Sequence, residues 1–250
     1  MTVSTAVTTL GTLYVYGVTP AGVAAPRTAG VAGAPVRLLT ESGLCAVVST
    51  PPERLRPRRR DLAAHQAVLA ELAGQGPLLP MRFAVVSPGS DALRAQLRGD
   101  RRTLLRQLDG VRDCVEMNLK GTVVPGYFAQ LVRRDEHLGA LAARARRSPD
   151  YQTNVRLGEA LARGVRGEAR RAARQVLARL APLARRTAAG QVDDDQVLST
   201  SFLLRAADER RFRDAVADQA RAYGDRLALS VTGPLPCYSF VDPRPTPAGR

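Results

Sequence analysis

The order of strand and helix signals in this 250-residue chain predicts an α+β protein of two domains, residues 1–110 and 111–250. Each is expected to be a modified ferredoxin-like layer of helices on a sheet, the second with long coiled-coil-like helices. Three observations carry this. A strand, a hairpin, a helix, a strand and then helices follow one another in the first 110 residues. In the second part Leu161, Val165, Ala169, Ala172, Val176, Leu180 and Leu183 recur at spacings of three and four, the stripe of a helix packed on another helix. Around those helices lie short β-rich runs, giving the order β-α-α-β-α-β.

In chain order, Leu10 to Val18 alternates toward β with Val15 and Tyr16 inward. Thr19 to Pro35, rich in Gly, Ala and Pro and without periodicity, is expected to be a mobile loop. Val36 to Thr40 and Leu44 to Ser49 flank Glu41-Ser42-Gly43, the composition of a tight hairpin. Pro51 to Arg60 reads as a solvated connector. Asp61 is placed as the N-cap of a helix with Leu62, Val68, Leu69 and Leu72 on its apolar face, ended by Gly74-Gln75-Gly76. Prolines 77 and 80 hold the backbone extended before a strand from Met81 to Val86, with Arg82 embedded in it. Ser87 to Asp91 caps a helix from Ala92 to Leu97, and after Gly99-Asp100 another runs to about Leu108.

The second domain opens with a strand from Val111 to Lys120, with Val115, Met117 and Leu119 on one face and Glu116, Asn118 and Lys120 on the other. Helical sequence follows from Asp135 to Ala189, broken at Ser148-Pro149. Its alanines bury little area, and Gly158, Gly164 and Gly167 weaken its propensity. Gly190 to Asp195 is an acidic turn, Val197 to Ala206 a strand, Ala207 to Tyr223 a helix with Phe212, Val216 and Ala220 inward, and Leu227 to Thr232 a closing strand. The bend Gly233-Pro234-Leu235-Pro236 blunts the sheet edge and presents Tyr238 and Phe240 on one side.

The net charge of +14 points to an acidic partner. Lys120 is the single lysine, and aromatic residues make up 4% of the chain, too few for a surface that stacks single-stranded bases. No nucleic-acid-binding motif occurs, so a basic nucleic-acid or polyanion-binding module is the alternative reading, motivated by charge alone. No apolar run approaches the roughly 18 residues of a membrane span and no leader pattern opens the chain, so a cytoplasmic protein is expected. Cys45, Cys114 and Cys237 are widely spaced and form neither a disulfide framework nor, with His65 and His137, a zinc site. His65 has no serine or cysteine paired with it locally and reads as a structural histidine, and His137 as a solvent-facing helix start. Asp193-Asp194-Asp195 lacks the spaced oxygens of a calcium loop. No phosphate-cradling glycine motif is present, so no catalytic residue, cofactor or metal is assigned.

Two segments are more particular than structure alone demands. Leu79-Pro80-Met81-Arg82-Phe83 and Thr232-Gly233-Pro234-Leu235-Pro236-Cys237-Tyr238-Ser239-Phe240 lie far apart in the chain. Arg82 in an apolar strand needs a partner acid or carbonyl, or an exposed face that meets another protein. Tyr238 and Phe240 either lid the second domain's core or anchor a partner or domain junction. Met81, Arg82, Phe83, Leu235, Tyr238 and Phe240 are therefore the candidate interaction residues.

These segments, with Tyr14-Val15-Tyr16-Gly17-Val18, Gly43 to Ser49, Asp61-Leu62 with His65, and Val115 to Lys120, fall in the order of the gas vesicle protein GvpL/GvpF family, which residues 12 to 241 resemble. Departures occur at Ala84, Leu235 and Cys237, where that family commonly has glycine, an aromatic residue and proline. The resemblance implies an accessory protein of gas vesicle formation that is not an enzyme. It further implies that the protein associates with gas vesicles, binds the main shell subunit and other accessory proteins, and serves as chaperone, nucleation factor or minor vesicle component.

Overall fold

The computed structural model describes residues 11–147, 150–193 and 195–241, a mixed α+β chain with two sheets. The described residues up to Glu116, together with those from Leu235 on, form one compact unit, and Met117–Pro234 forms the other. The division expected from sequence kept the last residues with the second domain. Here they group with the first.

The first unit is built around β1 (Leu13–Pro20), paired antiparallel to β3 (Leu44–Ser49), which pairs in turn with β2 (Arg37–Glu41). The hairpin forms as expected because Ser42 and Gly43 both take positive φ, 53° and 81°, matching the twist of the flanking strands. Successive residues of a strand face opposite sides of the sheet, yet β1 is buried at every position up to Thr19 and β3 throughout, so both faces of the sheet centre are covered. Helices α1 (Arg59–Ala73) and α2 (Ser90–Gly110) do the covering, and both pack on β1.

Several expectations are corrected here. Helix α1 starts two residues before Asp61, which lies in its first turn instead of capping it. Leu62 is 37% exposed, and the buried face carries Asp61, His65, Val68, Leu69 and Leu72. The two short helices expected after Ser87 are one, since Gly99 sits on the exposed side of α2, where its weak propensity does not outweigh packing. Along α2, Arg94 donates to Thr40 O at 2.7 Å and Arg101 to Ser42 O at 2.8 Å, while Arg98 pairs with Glu41 at 3.1 Å, so part of the basic excess clamps the hairpin. The segment expected to be a mobile loop is fastened to α1: the Arg27 and Thr28 amides donate to the Glu71 carboxylate and the Ala24 amide to Gln75 Oε1. Those bonds hold the Glu71 carboxyl below its ordinary range, the Thr28 hydroxyl contributing most.

The other sheet runs β7 (Arg186–Ala189), β8 (Gln196–Arg205), β6 (Cys114–Val123), β9 (Leu227–Leu235). Helix α6 (Glu209–Tyr223) buries Phe212 and Val216, and the Phe212 ring lies 4.9 Å from that of Phe202 on β8. Helices α3 (Phe128–Arg134), α4 (Glu136–Arg147) and α5 (Tyr151–Leu180) pack together around Tyr127, Leu131, Leu138 and Val165. Of the helical stripe, Val165, Ala169, Ala172, Val176 and Leu180 are buried, Leu161 is half-buried and Leu183 lies beyond the end of α5. Asp150 caps α5 by accepting from the Thr153 amide at 2.9 Å; the break expected at Ser148-Pro149 lies outside the described residues, as does Asp194 of the acidic turn. Gly164 is there for space: a Cβ would stand 2.8 Å from Leu131 Cδ2. Arg186–Ala189, read as helix, is a strand paired with Leu203 to Thr200 of β8, because backbone pairing with an existing strand overrides the weak preference of Arg-Thr-Ala-Ala.

Two glycines of the first unit should respond oppositely to alanine. A Cβ at Gly17 would stand 2.8 Å from both Leu78 Cδ1 and Leu79 O, whereas one at Gly99 meets nothing within 4 Å. Gly17→Ala is expected to lower stability by about 1–3 kcal/mol, and Gly99→Ala to raise it by about 0.5–1 kcal/mol, both read from urea unfolding of the full chain.

Candidate functional site at the arch and the docked tail

Strand β1 loses register on both sides at the same place. Toward β3, Val15 pairs with Val48 and Gly17 with Val47, leaving Tyr16 as an extra residue, a β-bulge. On the other side Gly17 pairs with Pro80 of β4 (Leu79–Pro80) and Tyr14 with Val86 of β5 (Val86–Ser87), so three residue steps of β1 face six of its neighbour. The strand expected from Met81 to Val86 is therefore two short bridges joined by an arch. Pro80 cannot donate to the ladder, and Ala84 takes a φ of 72°, which turns the chain outward.

Side chains hold the arch from within. The imidazole of His65 on α1 reaches the Met81 carbonyl through Nε2 at 3.1 Å, and its Nδ1 lies 2.8 Å from the Tyr14 hydroxyl. A carbonyl only accepts, so Nε2 carries the proton, Nδ1 is the acceptor and Tyr14 donates to it. The Tyr14 oxygen in turn accepts the Ala84 amide at 3.3 Å. Tyr16 stacks on His65 at 5.5 Å between centroids, lies 3.0 Å from Ser49 Oγ and accepts the Val31 amide at 2.7 Å. Burial pushes the Tyr14 and Tyr16 hydroxyls above their ordinary range and the His65 imidazole below its own. Both ring nitrogens of His65 are occupied, so it has no free atom for acid–base work.

The tail completes the unit. After the cis Gly233-Pro234 bond, β9 ends at Leu235 and a single helical turn, Tyr238–Phe240, follows. Glu116 of β6 is 3% exposed, and its carboxylate accepts the Ser239 amide at 2.8 Å and the Ser239 hydroxyl at 2.7 Å. Cys237, buried, points its thiol at the Cys114 carbonyl. Burial first, and the Glu116 charge second, push the Cys237 thiol and the Tyr238 hydroxyl each up to about 12. Phe83 of the arch and Tyr238 of the tail pack against the same core of Tyr14, Tyr16, Val47, Leu69 and Leu72.

The six residues singled out in the sequence thus divide. Phe83 and Tyr238 pack on the first unit's core, and Phe240 is buried. Met81 and Leu235 are half-buried. Arg82, for which the sequence left open an internal partner or an exposed face, is exposed on the arch and makes no hydrogen bond or ion pair among the described residues, because the arch turns it into solvent. Sequence reasoning missed Glu116, placed on the outer face of its strand by simple alternation. Among the described residues no group of three or more His, Cys, Asp or Glu could hold a metal ion, and no helix is long and apolar enough to cross a membrane.

The profile of the family described as "Gas vesicle synthesis protein GvpL/GvpF" matches residues 12–242. The chain is similar to gas vesicle protein F of Streptomyces sp. (strain CB03234), 37% identical over 92% of this chain and 99% of that one. It is also similar to gas vesicle protein L of the same strain, 30% identical over 91% of this chain and 92% of that one. The crystal structure of gas vesicle protein GvpF from Microcystis aeruginosa has the same fold, with a TM-score of 0.74 at 19% identity over 92% of this chain and 99% of that one.

Removing the anchor should free the tail. Charge-assisted hydrogen bonds contribute about 1.5–3 kcal/mol, so Glu116→Ala is expected to lower the unfolding free energy by about 2 kcal/mol and to raise amide exchange at Tyr238 and Ser239 in hydrogen-exchange mass spectrometry. Arg82→Ala should change neither.

Proposed function

We propose, since this chain belongs to the gas vesicle synthesis protein GvpL/GvpF family, that it is an accessory protein of gas vesicle assembly that binds the main shell subunit and acts as its chaperone or nucleation factor. The match of nearly the whole chain to that family carries the reading. Shell subunits are small and very apolar, and before polymerisation their exposed faces aggregate. A protein that pairs with them transiently solves that problem, and β9 is suited to do so. It is an edge strand in its sheet, and Leu227 to Leu235 contains no charged residue to repel an incoming strand. The same reading takes each unit as a modified ferredoxin-like layer, places the protein in the cytoplasm in association with gas vesicles, and admits other accessory proteins as partners and a minor share in the finished shell.

The test is capture of purified main shell subunit by the tagged full chain at low salt, with and without the other accessory proteins, beside deletion of the gene and electron microscopy. Capture and loss of vesicles are expected. Failure of capture under both conditions, or intact vesicles with nucleic acid recovered instead, would overturn the reading.

A further inference from the structure

Half of the chain's net charge of +14 resides in residues 128–180, which hold twelve arginines against five acids. On α5 the arginines are ordered. Arg156, Arg163, Arg170 and Arg174 follow at intervals of seven, seven and four. At about 100° per residue they fall within roughly 40° of arc, and at 1.5 Å per residue they extend over about 27 Å. That arc lies across the helix from Val165, Ala169, Val176 and Leu180, which are buried. All four arginines are exposed, and none makes a hydrogen bond or ion pair among the described residues. Arg171, off the ridge, shows the contrast by pairing with Glu168 at 3.0 Å. Glu159 and Glu168 are the acids of α5, and Glu159 is the one beside the ridge, so the ridge keeps a surplus of positive charge.

We infer that this ridge docks an acidic helix of a partner protein, one that bears carboxylates a heptad apart. The spacing selects that chemistry. Seven residues of helix advance about 10.5 Å, so a second helix laid alongside presents carboxylates in register with Arg156, Arg163 and Arg170, whereas nucleic-acid phosphates recur every few ångströms and meet only a fraction of so sparse a row. No aromatic side chain stands on the ridge to stack a base. Gly167 lies between Arg163 and Arg170 in the chain, about 20° to the side of that arc, and nothing stands within 4 Å of where its Cβ would be, which leaves a notch where a partner backbone can approach closely. Planar guanidinium groups pair with carboxylates in two-point fashion, which favours arginine over lysine here. The inference goes beyond the proposed assembly role and holds whether or not the shell subunit is a client.

The experiment titrates the full chain at low salt with a synthetic alanine-based helical peptide carrying glutamates at heptad spacing, with a peptide of identical composition whose glutamates are spread around the helix, and with duplex DNA. The heptad peptide is expected to bind at least tenfold more tightly than the rearranged one, to weaken with added salt, and to lose that advantage in a variant carrying Arg156→Gln, Arg163→Gln, Arg170→Gln and Arg174→Gln whose circular dichroism is unchanged. Equal affinity for the two peptides, retention of binding in the quadruple variant, or tighter ridge-dependent binding of DNA would overturn it. Shell-subunit capture, measured separately on the same variant, distinguishes failure of this inference from failure of the assembly reading.

Discussion

The buried polar chain from Ala84 through Tyr14 and His65 to Met81 is the constraint on which the first unit depends. It arises where β1 is out of register with both neighbours, by one residue toward β3 and by three toward the arch. Bulged backbone in a covered sheet strands amide and carbonyl groups that cost about 1–3 kcal/mol each when left unpaired. Here four of them have partners: the Met81 amide donates to Tyr16 O, the Val15 amide to Val85 O, the Ala84 amide to the Tyr14 hydroxyl, and the Met81 carbonyl accepts from His65. Burial favours the neutral imidazole, with Nε2 donating to the carbonyl and Nδ1 accepting from the Tyr14 hydroxyl. Its burial and its partners therefore fix its tautomer, its charge and the outward course of the arch together.

The tail extends the same principle to the end of the chain. Two motifs separated by some 150 residues meet at one core because Phe83 is carried there by the arch and Tyr238 by the turn that Glu116 anchors. A buried carboxylate is costly unless its oxygens are satisfied, and both of Glu116's oxygens are occupied by Ser239. Of the two motifs, which the sequence left open between internal packing and partner contact, Phe83 and Tyr238 join one core and Arg82 faces outward. The features that remain free to meet other molecules are of a different kind: the uncharged edge of β9 and the arginine row of α5.

Local signals were reliable where one short segment decides its own structure. Glu41-Ser42-Gly43 announced the hairpin, and the three-and-four spacing from Val165 to Leu180 the buried face of α5. They failed where distant groups decide. Met81 to Val86 reads as a strand because Pro77 and Pro80 hold the chain extended ahead of an apolar run, and nothing local reports that a histidine on α1 and a tyrosine on β1 will take its backbone groups. Glu116 reads as an outward residue because its partner comes from the other end of the chain. Leu62 reads as core because it is apolar, yet the buried positions went to Asp61 and His65, whose polar atoms have partners there: the Ala32 amide for Asp61, Tyr14 and Met81 for His65.

The charge and tautomer of His65 test this account most directly. Long-range proton–nitrogen correlation spectra of the full chain, recorded from pH 7.5 down to 5.5, report which ring nitrogen is protonated. A neutral imidazole with its proton on Nε2, still neutral below the ordinary histidine value of about 6.5, is the predicted result. A proton on Nδ1 in the neutral ring, or titration at or above that ordinary value, would contradict the polar chain and with it the explanation of the arch.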